Sequence, residues 1–182
     1  LFTAIIYKKN CKILREKLMK KLAIIGAGIS GLFIANLFKR NTDYQITIYE
    51  KNNSISLDEG YGVQLSVNSI KLLNKIGFEK IQNKEKFNSK KINFYSIKNS
   101  IKICELDISE FNSDNCNYTT LKRSTLVNFL KRDLADLIKT DHNISKIDQI
   151  DKQITLSFEN NKTDKCDYLI ISDGVFSKSK KL

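Results

Sequence analysis

The feature that most constrains this chain is the run Gly26-Ala27-Gly28-Ile29-Ser30-Gly31 and what stands on either side of it. Leu22-Ala23-Ile24-Ile25 precedes it, a short continuous apolar run of the kind a buried parallel strand needs. Residues 29–38 follow, apolar nearly all round and closed by Lys39-Arg40, which predicts a buried helix with cations at its C-terminus. Gln45-Ile46-Thr47-Ile48-Tyr49-Glu50 alternates and is β-branched, a second strand. Together they make a βαβ unit of about thirty residues.

Three glycines at this spacing occur by chance in loops, so the flanking strand and helix carry the argument. Gly26 permits the tight turn, Gly28 lets a backbone approach a phosphate, and Gly31 lets helix and strand pack closely. The unpaired N–H groups of the first helical turn then form an anion site, helped by roughly half a positive charge from the helix dipole. Glu50 closes the second strand, where a carboxylate can accept hydrogen bonds from ribose hydroxyls. These residues predict dinucleotide binding at Gly26, Ala27, Gly28, Ile29, Ser30, Gly31, Glu50 and its neighbour Lys51. On this unit alone the dinucleotide is NAD or FAD.

Further along, Ser66 is placed to cap a helix carrying Val67, Ile70, Leu73 and Ile76, with Gly77 as its stop. Residues 92–97 and 101–104 alternate and are joined by Lys98-Asn99-Ser100, a predicted hairpin. Residues 118–122 read as extended. A helix is expected from Ser124, with Leu126, Phe129, Leu130, Leu134, Leu137 and Ile138 on one face. Residues 144–150 and 154–158 read as a small β-meander, and Tyr168-Leu169-Ile170-Ile171 as a second buried strand ending at Ser172-Asp173-Gly174. The predicted class is α/β: a Rossmann-like domain with a parallel sheet, an inserted antiparallel hairpin and a small meander.

The formal charge of +11 raises nucleic acid or an anionic membrane surface as partners. Its distribution argues against both. Seven basic residues and one acid precede Leu22, three lysines follow Ser177, and the stretch between them is left with only +2. No apolar run approaches the ~20 residues of a membrane span, and Lys8-Lys9 follow the opening apolar run, the reverse of a secretory signal. Cys11, Cys104, Cys116 and Cys166 have neither metal nor redox spacing and are read as small core or boundary residues in a reducing cytoplasm. His142 is the only histidine, so no histidine-based metal site or triad can be built, and a surface position is expected for it.

Asp58-Glu59-Gly60-Tyr61-Gly62-Val63-Gln64-Leu65-Ser66 departs from the further βα units of a purely NAD-dependent dehydrogenase. Here the chain resembles the flavoprotein monooxygenases of the p-hydroxybenzoate and salicylate hydroxylase type. Gly60, Gly62, Val63, Leu65, Ser66 and Asn68 fit a family segment that follows the ribose-binding acid, with Val67 where the family has proline. Lys122-Arg123-Ser124-Thr125-Leu126 looks like the family's Arg-x-x-Leu at a helix start, and residues 167–177 look like its Asp-Gly segment. Lys180 stands where that segment usually ends in arginine, which keeps the charge and loses the bidentate fork.

The resemblance covers residues 19–182 and implies FAD as cofactor and NAD(P)H as co-substrate. It implies cofactor contacts at Gln64, Arg123, Asp173 and Gly174, and, by a looser strand match, at Ile147 beside the adenine. The flavin carries the chemistry, so no catalytic side chain is expected. The implied reaction transfers one atom of molecular oxygen to an aromatic or unsaturated small molecule. Met19-Lys20-Lys21 reads as a natural start, residues 1–18 as a non-native leader or fragment scar, and residues 19–182 as a partial FAD-binding domain whose C-terminal part is missing. Two alternatives stay open: another FAD oxidoreductase of the prenyl reductase or amine oxidase type, and a non-catalytic FAD-binding remnant.

Overall fold

The computed structural model describes residues 19–41, 43–55, 57, 61–175, 177, 179 and 182. Residues 1–18, Gly60 and Lys180, each given a reading above, lie outside the described residues. The chain divides into two units, one formed by residues 1–55 and 133–182, the other by residues 56–132.

The first unit begins with β1 (Lys20–Ile25), α1 (Ile29–Lys39) and β2 (Tyr44–Tyr49), the predicted βαβ unit. β1 and β2 pair in parallel, Leu22 opposite Ile46 and Ile25 opposite Tyr49. Alternation along the strands sends Leu22, Ile24, Ile46 and Ile48 to one face, where α1 buries Leu32 and Ala35. Both faces of a parallel sheet must be covered, which is why these strands carry so few polar residues.

The second unit holds β3 (Gly62–Leu65), α2 (Val67–Asn74), β4 (Lys86–Asn88), β5 (Lys91–Tyr95), β6 (Lys102–Asp107), β7 (Thr119–Lys122) and α3 (Arg123–Lys131). β7 lies between β3 and β4, antiparallel to each. The predicted hairpin is present as the β5–β6 pair, its turn closed by Ser100 in the left-handed region (φ +56°). Gly77, at φ +91°, ends the α2 region as expected. Ser66 occupies the cap position of α2, but its hydroxyl meets Ser69 Oγ (3.4 Å) instead of a main-chain N–H.

The chain then returns to the first unit through β8 (Ile138–Lys139), β9 (Ile144–Ile150), β10 (Gln153–Phe158), β11 (Thr163–Cys166) and β12 (Tyr168–Ile171). β12 and β8 complete a parallel sheet of order β12-β1-β2-β8, and β9–β11 form an antiparallel meander. The meander covers the second face of the parallel sheet: Ala23, Ile25 and Tyr49 share a core with Ile144, Leu156, Phe158 and Cys166. Burial, with Asp164 and Asp167 nearby, pushes the Cys166 thiol up to about 11, so it serves as a small core residue.

One expectation needs correction. The helix predicted from Ser124 through Ile138 ends at Lys131; a short turn (Ala135–Leu137) follows, and Ile138 opens β8. The apolar spacing is real, but Leu134 is fully buried at the turn and Ile138 pairs with Ile48 of β2. Sheet pairing outcompetes helix periodicity here. No helix among the described residues is long and apolar enough to cross a membrane.

Candidate nucleotide-binding site

The glycine turn links β1 to α1, and its three glycines have different reasons to be glycine. Gly26 sits at φ +98°, and a Cβ there would lie 2.5 Å from the Ser172 carbonyl oxygen at the end of β12. A Cβ on Gly31 would lie 2.0 Å from the Gly26 carbonyl oxygen and 2.7 Å from Ser172 Oγ. Both therefore belong to the packing of helix against sheet. Gly28 is different: its backbone is extended and a Cβ would meet nothing within 4 Å. The fold does not demand a glycine at that position, and the open space in front of it is what an approaching ligand would use.

The carboxylate of Glu50, which follows β2, reaches back to this turn. Its Oε2 accepts from the Ala27 N–H (3.0 Å) and its Oε1 from the Asn52 N–H (3.0 Å). Each oxygen keeps acceptor capacity toward the cavity. Ser172 Oγ donates to the Ile25 carbonyl (2.8 Å), fastening the end of β12 to the start of the turn.

These elements frame a cavity of about 330 Å³. Gly26, Gly28, Glu50, Lys51, Asp173 and Gly174 line it, as do Tyr49 and the segment 142–144. Ala27 is buried behind the turn, while Ile29, Ser30 and Gly31 form the first turn of α1, whose N–H groups have no side-chain cap. Asp173 Oδ2 accepts from Ser179 Oγ–H (2.8 Å) and Ser179 N–H (3.3 Å). Burial opposes the charged form of Asp173, and hydrogen bonds, those of Ser179 among them, more than offset it, so the carboxyl titrates below its ordinary range. Gly174, at φ +91°, turns the chain away with open space beside it.

Ile147 is not among the residues lining this cavity. It pairs with Leu156 inside the meander and packs on the shared core; Ile144, at the start of β9, lines the cavity in its place. His142 also departs from expectation. It is only 8% exposed, and its ring packs against Tyr49 (centroids 5.7 Å apart) and Phe158 (5.0 Å). Its main-chain N–H donates to the Glu50 carbonyl (2.8 Å), so nonlocal contacts carry it inward.

Beneath the cavity, the Tyr49 hydroxyl donates to Asp164 Oδ2 (2.5 Å), which also accepts from Lys139 Nζ (3.1 Å). Burial, then the Asp164 hydrogen bond, pushes the Tyr49 phenol well above its ordinary value. Burial works against the Asp164 charge, but the Tyr49 and Lys139 hydrogen bonds outweigh it and hold the carboxyl below its usual range.

Gln64 and Arg123 belong to the second unit. Gln64 is exposed on β3 and accepts from the Tyr118 hydroxyl (3.2 Å). Arg123 opens α3, its N–H donating to the Tyr61 carbonyl (3.1 Å) and its guanidinium lying 5.9 Å from the Tyr61 ring centre.

A parallel sheet flanked by α1, with a glycine turn and an acid at the end of the next strand, defines a Rossmann-like dinucleotide-binding fold. Consistent with this, the family model described as an NAD(P)-binding Rossmann-like domain matches residues 24–59. No curated protein sequence matches the chain. Among solved structures, 2,6-dihydroxypyridine-3-hydroxylase from Arthrobacter nicotinovorans aligns over 90% of this chain with TM-score 0.73 and 15% identity. HpxO of Klebsiella pneumoniae, complexed with FAD and uric acid, aligns over 85% with TM-score 0.71 and 18% identity. The tetracycline destructase Tet(51) aligns over 90% with TM-score 0.66 and 19% identity. The chain spans about two fifths of each of these structures: 39%, 39% and 41% respectively. What it shares with them at such identities is the fold.

Proposed function

We propose that the cavity holds the adenosine and pyrophosphate end of FAD, and that this chain is the FAD-binding part of an NAD(P)H-dependent flavin monooxygenase. The observation that carries the reading is the space in front of Gly28. It is a glycine the fold does not require, at the start of an uncapped helix and near an acid already held by the turn. In this reading Gly28 to Gly31 receive the pyrophosphate on main-chain N–H groups, and Glu50 takes the adenosine ribose hydroxyls. Asp173 and Gly174 border the path toward the flavin; for Gln64 and Arg123 a cofactor contact is what the resemblance alone implies. Ile147 is reassigned to packing, with Ile144 nearer the adenine.

The cavity of about 330 Å³ lies at the lower end of ordinary ligand pockets, a size for a nucleoside and not for a whole dinucleotide. Flavin when bound supplies the redox and oxygen chemistry, and the chain's residues bind and orient it. FAD is favoured over a resident NAD by the HpxO structure, which holds FAD within the same fold. The substrate class proposed is an aromatic or unsaturated small molecule, with molecular oxygen as co-substrate.

The absorbance spectrum of the purified full-length protein tests the cofactor. Flavin bands that co-elute with the protein and are released as FAD on denaturation are expected. A colourless protein that takes up NAD(H) and not FAD would overturn the reading. NAD(P)H consumption across a panel of phenols then tests the reaction, with oxygen-dependent stimulation by at least one of them expected.

A further inference from the structure

His142 is the chain's single histidine, and it stands on the wall of the nucleotide cavity. Three constraints fix its ring. Asp141 takes a left-handed conformation (φ +56°) that turns the chain inward. The His142 N–H donates to the carbonyl of Glu50, the residue whose side chain serves the cavity. The ring is then wedged against Tyr49 and Phe158, which themselves lie 4.7 Å apart between centroids.

The fourth constraint is chemical. His142 Nδ1 lies 2.5 Å from the Thr140 carbonyl oxygen. A carbonyl oxygen only accepts, so Nδ1 carries the proton, and in the neutral ring Nε2 is left as an acceptor. Among the described residues no hydrogen-bond partner meets Nε2.

We propose that His142 is the residue by which this cavity selects adenine, with Nε2 accepting a hydrogen bond from the exocyclic amine. The inference rests on the dinucleotide reading above. Adenine presents an N–H donor at its six position; guanine and hypoxanthine present a carbonyl oxygen there, which would set lone pair against lone pair. A site whose polar group is left unpaired by the wrong ligand discriminates more strongly than one that only loses contact area. Tyr49 and Phe158 keep the imidazole from rotating to offer Nδ1 instead.

The test uses the nucleotide-free full chain titrated with ADP, inosine diphosphate and GDP. One expected result is ADP bound about tenfold or more tightly than the other two, the scale of one hydrogen bond gained against one acceptor left unpaired. The second uses the sole histidine as its own reporter. In a ¹⁵N imidazole spectrum the Nε2 signal is expected to move when ADP is added and to stay in place with inosine diphosphate. His142→Phe, which preserves the ring packing, is expected to bind the three nucleotides within about threefold of one another. Equal affinities for the unaltered chain, or an Nε2 signal that ADP leaves unmoved, overturn the proposal even if the variant does not fold. Binding of none of the three nucleotides overturns the dinucleotide reading itself, and the proposal with it.

Discussion

The Ala27 N–H donates to Glu50 Oε2 at 3.0 Å, joining the glycine turn to the acid at the end of the neighbouring strand before any ligand arrives. Charge-assisted hydrogen bonds of this kind are worth about 1.5–3 kcal/mol. Glu50 is thus both a brace for the turn and an acceptor facing the cavity. Glu50→Gln is expected to weaken ADP and FAD binding by about ten- to a hundredfold, read by calorimetric titration. Its melting temperature is expected to fall by only a few degrees, since the amide oxygen can still accept from one of the two N–H groups. Unchanged affinity would remove Glu50 from the nucleotide site.

The glycines of the turn are expected to separate stability from binding. A Cβ on Gly31 would overlap the Gly26 carbonyl oxygen, a main-chain atom with little freedom to retreat. Gly31→Ala should therefore destabilise the chain by about 1–3 kcal/mol or more, seen in urea unfolding. Gly28→Ala meets no protein atom and should melt with the unaltered chain while losing at least about tenfold in nucleotide affinity. The reverse pattern would contradict the assignment of open space at Gly28 to a ligand.

Tyr49 and Asp164 give the first unit a defined response to acid. The folded Asp164 titrates below its ordinary value, so its contribution to stability is present above that value and is lost as pH falls through the carboxylate range to the lowered one. Tyr49→Phe removes one of the three hydrogen bonds that hold the charge, the others coming from Lys139 Nζ and the Lys165 N–H. The variant should be less stable at pH 7 by about 1 kcal/mol. Its stability should also fall less steeply between about pH 5 and pH 3, because Asp164 then titrates closer to its unfolded value. Parallel pH profiles for the two proteins would show that the hydroxyl does not support the carboxylate.

Arg123 provides a separate check on the second unit. The resemblance implies that it reaches toward the flavin side of the cofactor and the pyrophosphate, and its guanidinium lies near the Tyr61 ring. Arg123→Ala should reduce affinity for FAD by about tenfold or more while leaving AMP affinity within about twofold, since AMP lacks the part that Arg123 would meet. Equal losses for both ligands would point to a general folding defect.

Much of the fold was legible because its signals are local. β1, the glycine turn, α1 and β2 follow from a buried strand, a helix apolar on most sides and an alternating strand in unbroken order. The hairpin, β9 and β10 follow from period-two alternation. What was missed depends on partners distant in sequence. A strand of two residues, Ile138–Lys139, is too short for a period, and only its pairing with Ile48 and Tyr49 makes it one. Leu134 and Leu137 carry helical spacing into a stretch where the chain turns. His142 looks like a surface residue because Thr140-Asp141 precede it, yet Tyr49 and Phe158 draw it inside. Within the cavity, the glycines, Glu50 and its neighbour Lys51 could be named from the motif and its flanking elements, and Asp173-Gly174 from the family resemblance. His142 and Ile144 could not, because the segment that carries them has no pattern of its own.

The order in which the cavity walls are synthesised has a consequence for how the protein comes to life. Gly26 and Ser172 touch across a separation of 146 residues, and β1 stands between β2, made soon afterwards, and β12, made near the end of the described chain. While ribosomes extend the nascent chain, the glycine turn exists without the strand that closes it, and β1 offers an unpaired, strongly apolar edge. On the proposed reading, cofactor capture would have to wait for translation through Gly174. Chains interrupted earlier would expose the very strand that in the finished protein lies at the centre of the parallel sheet.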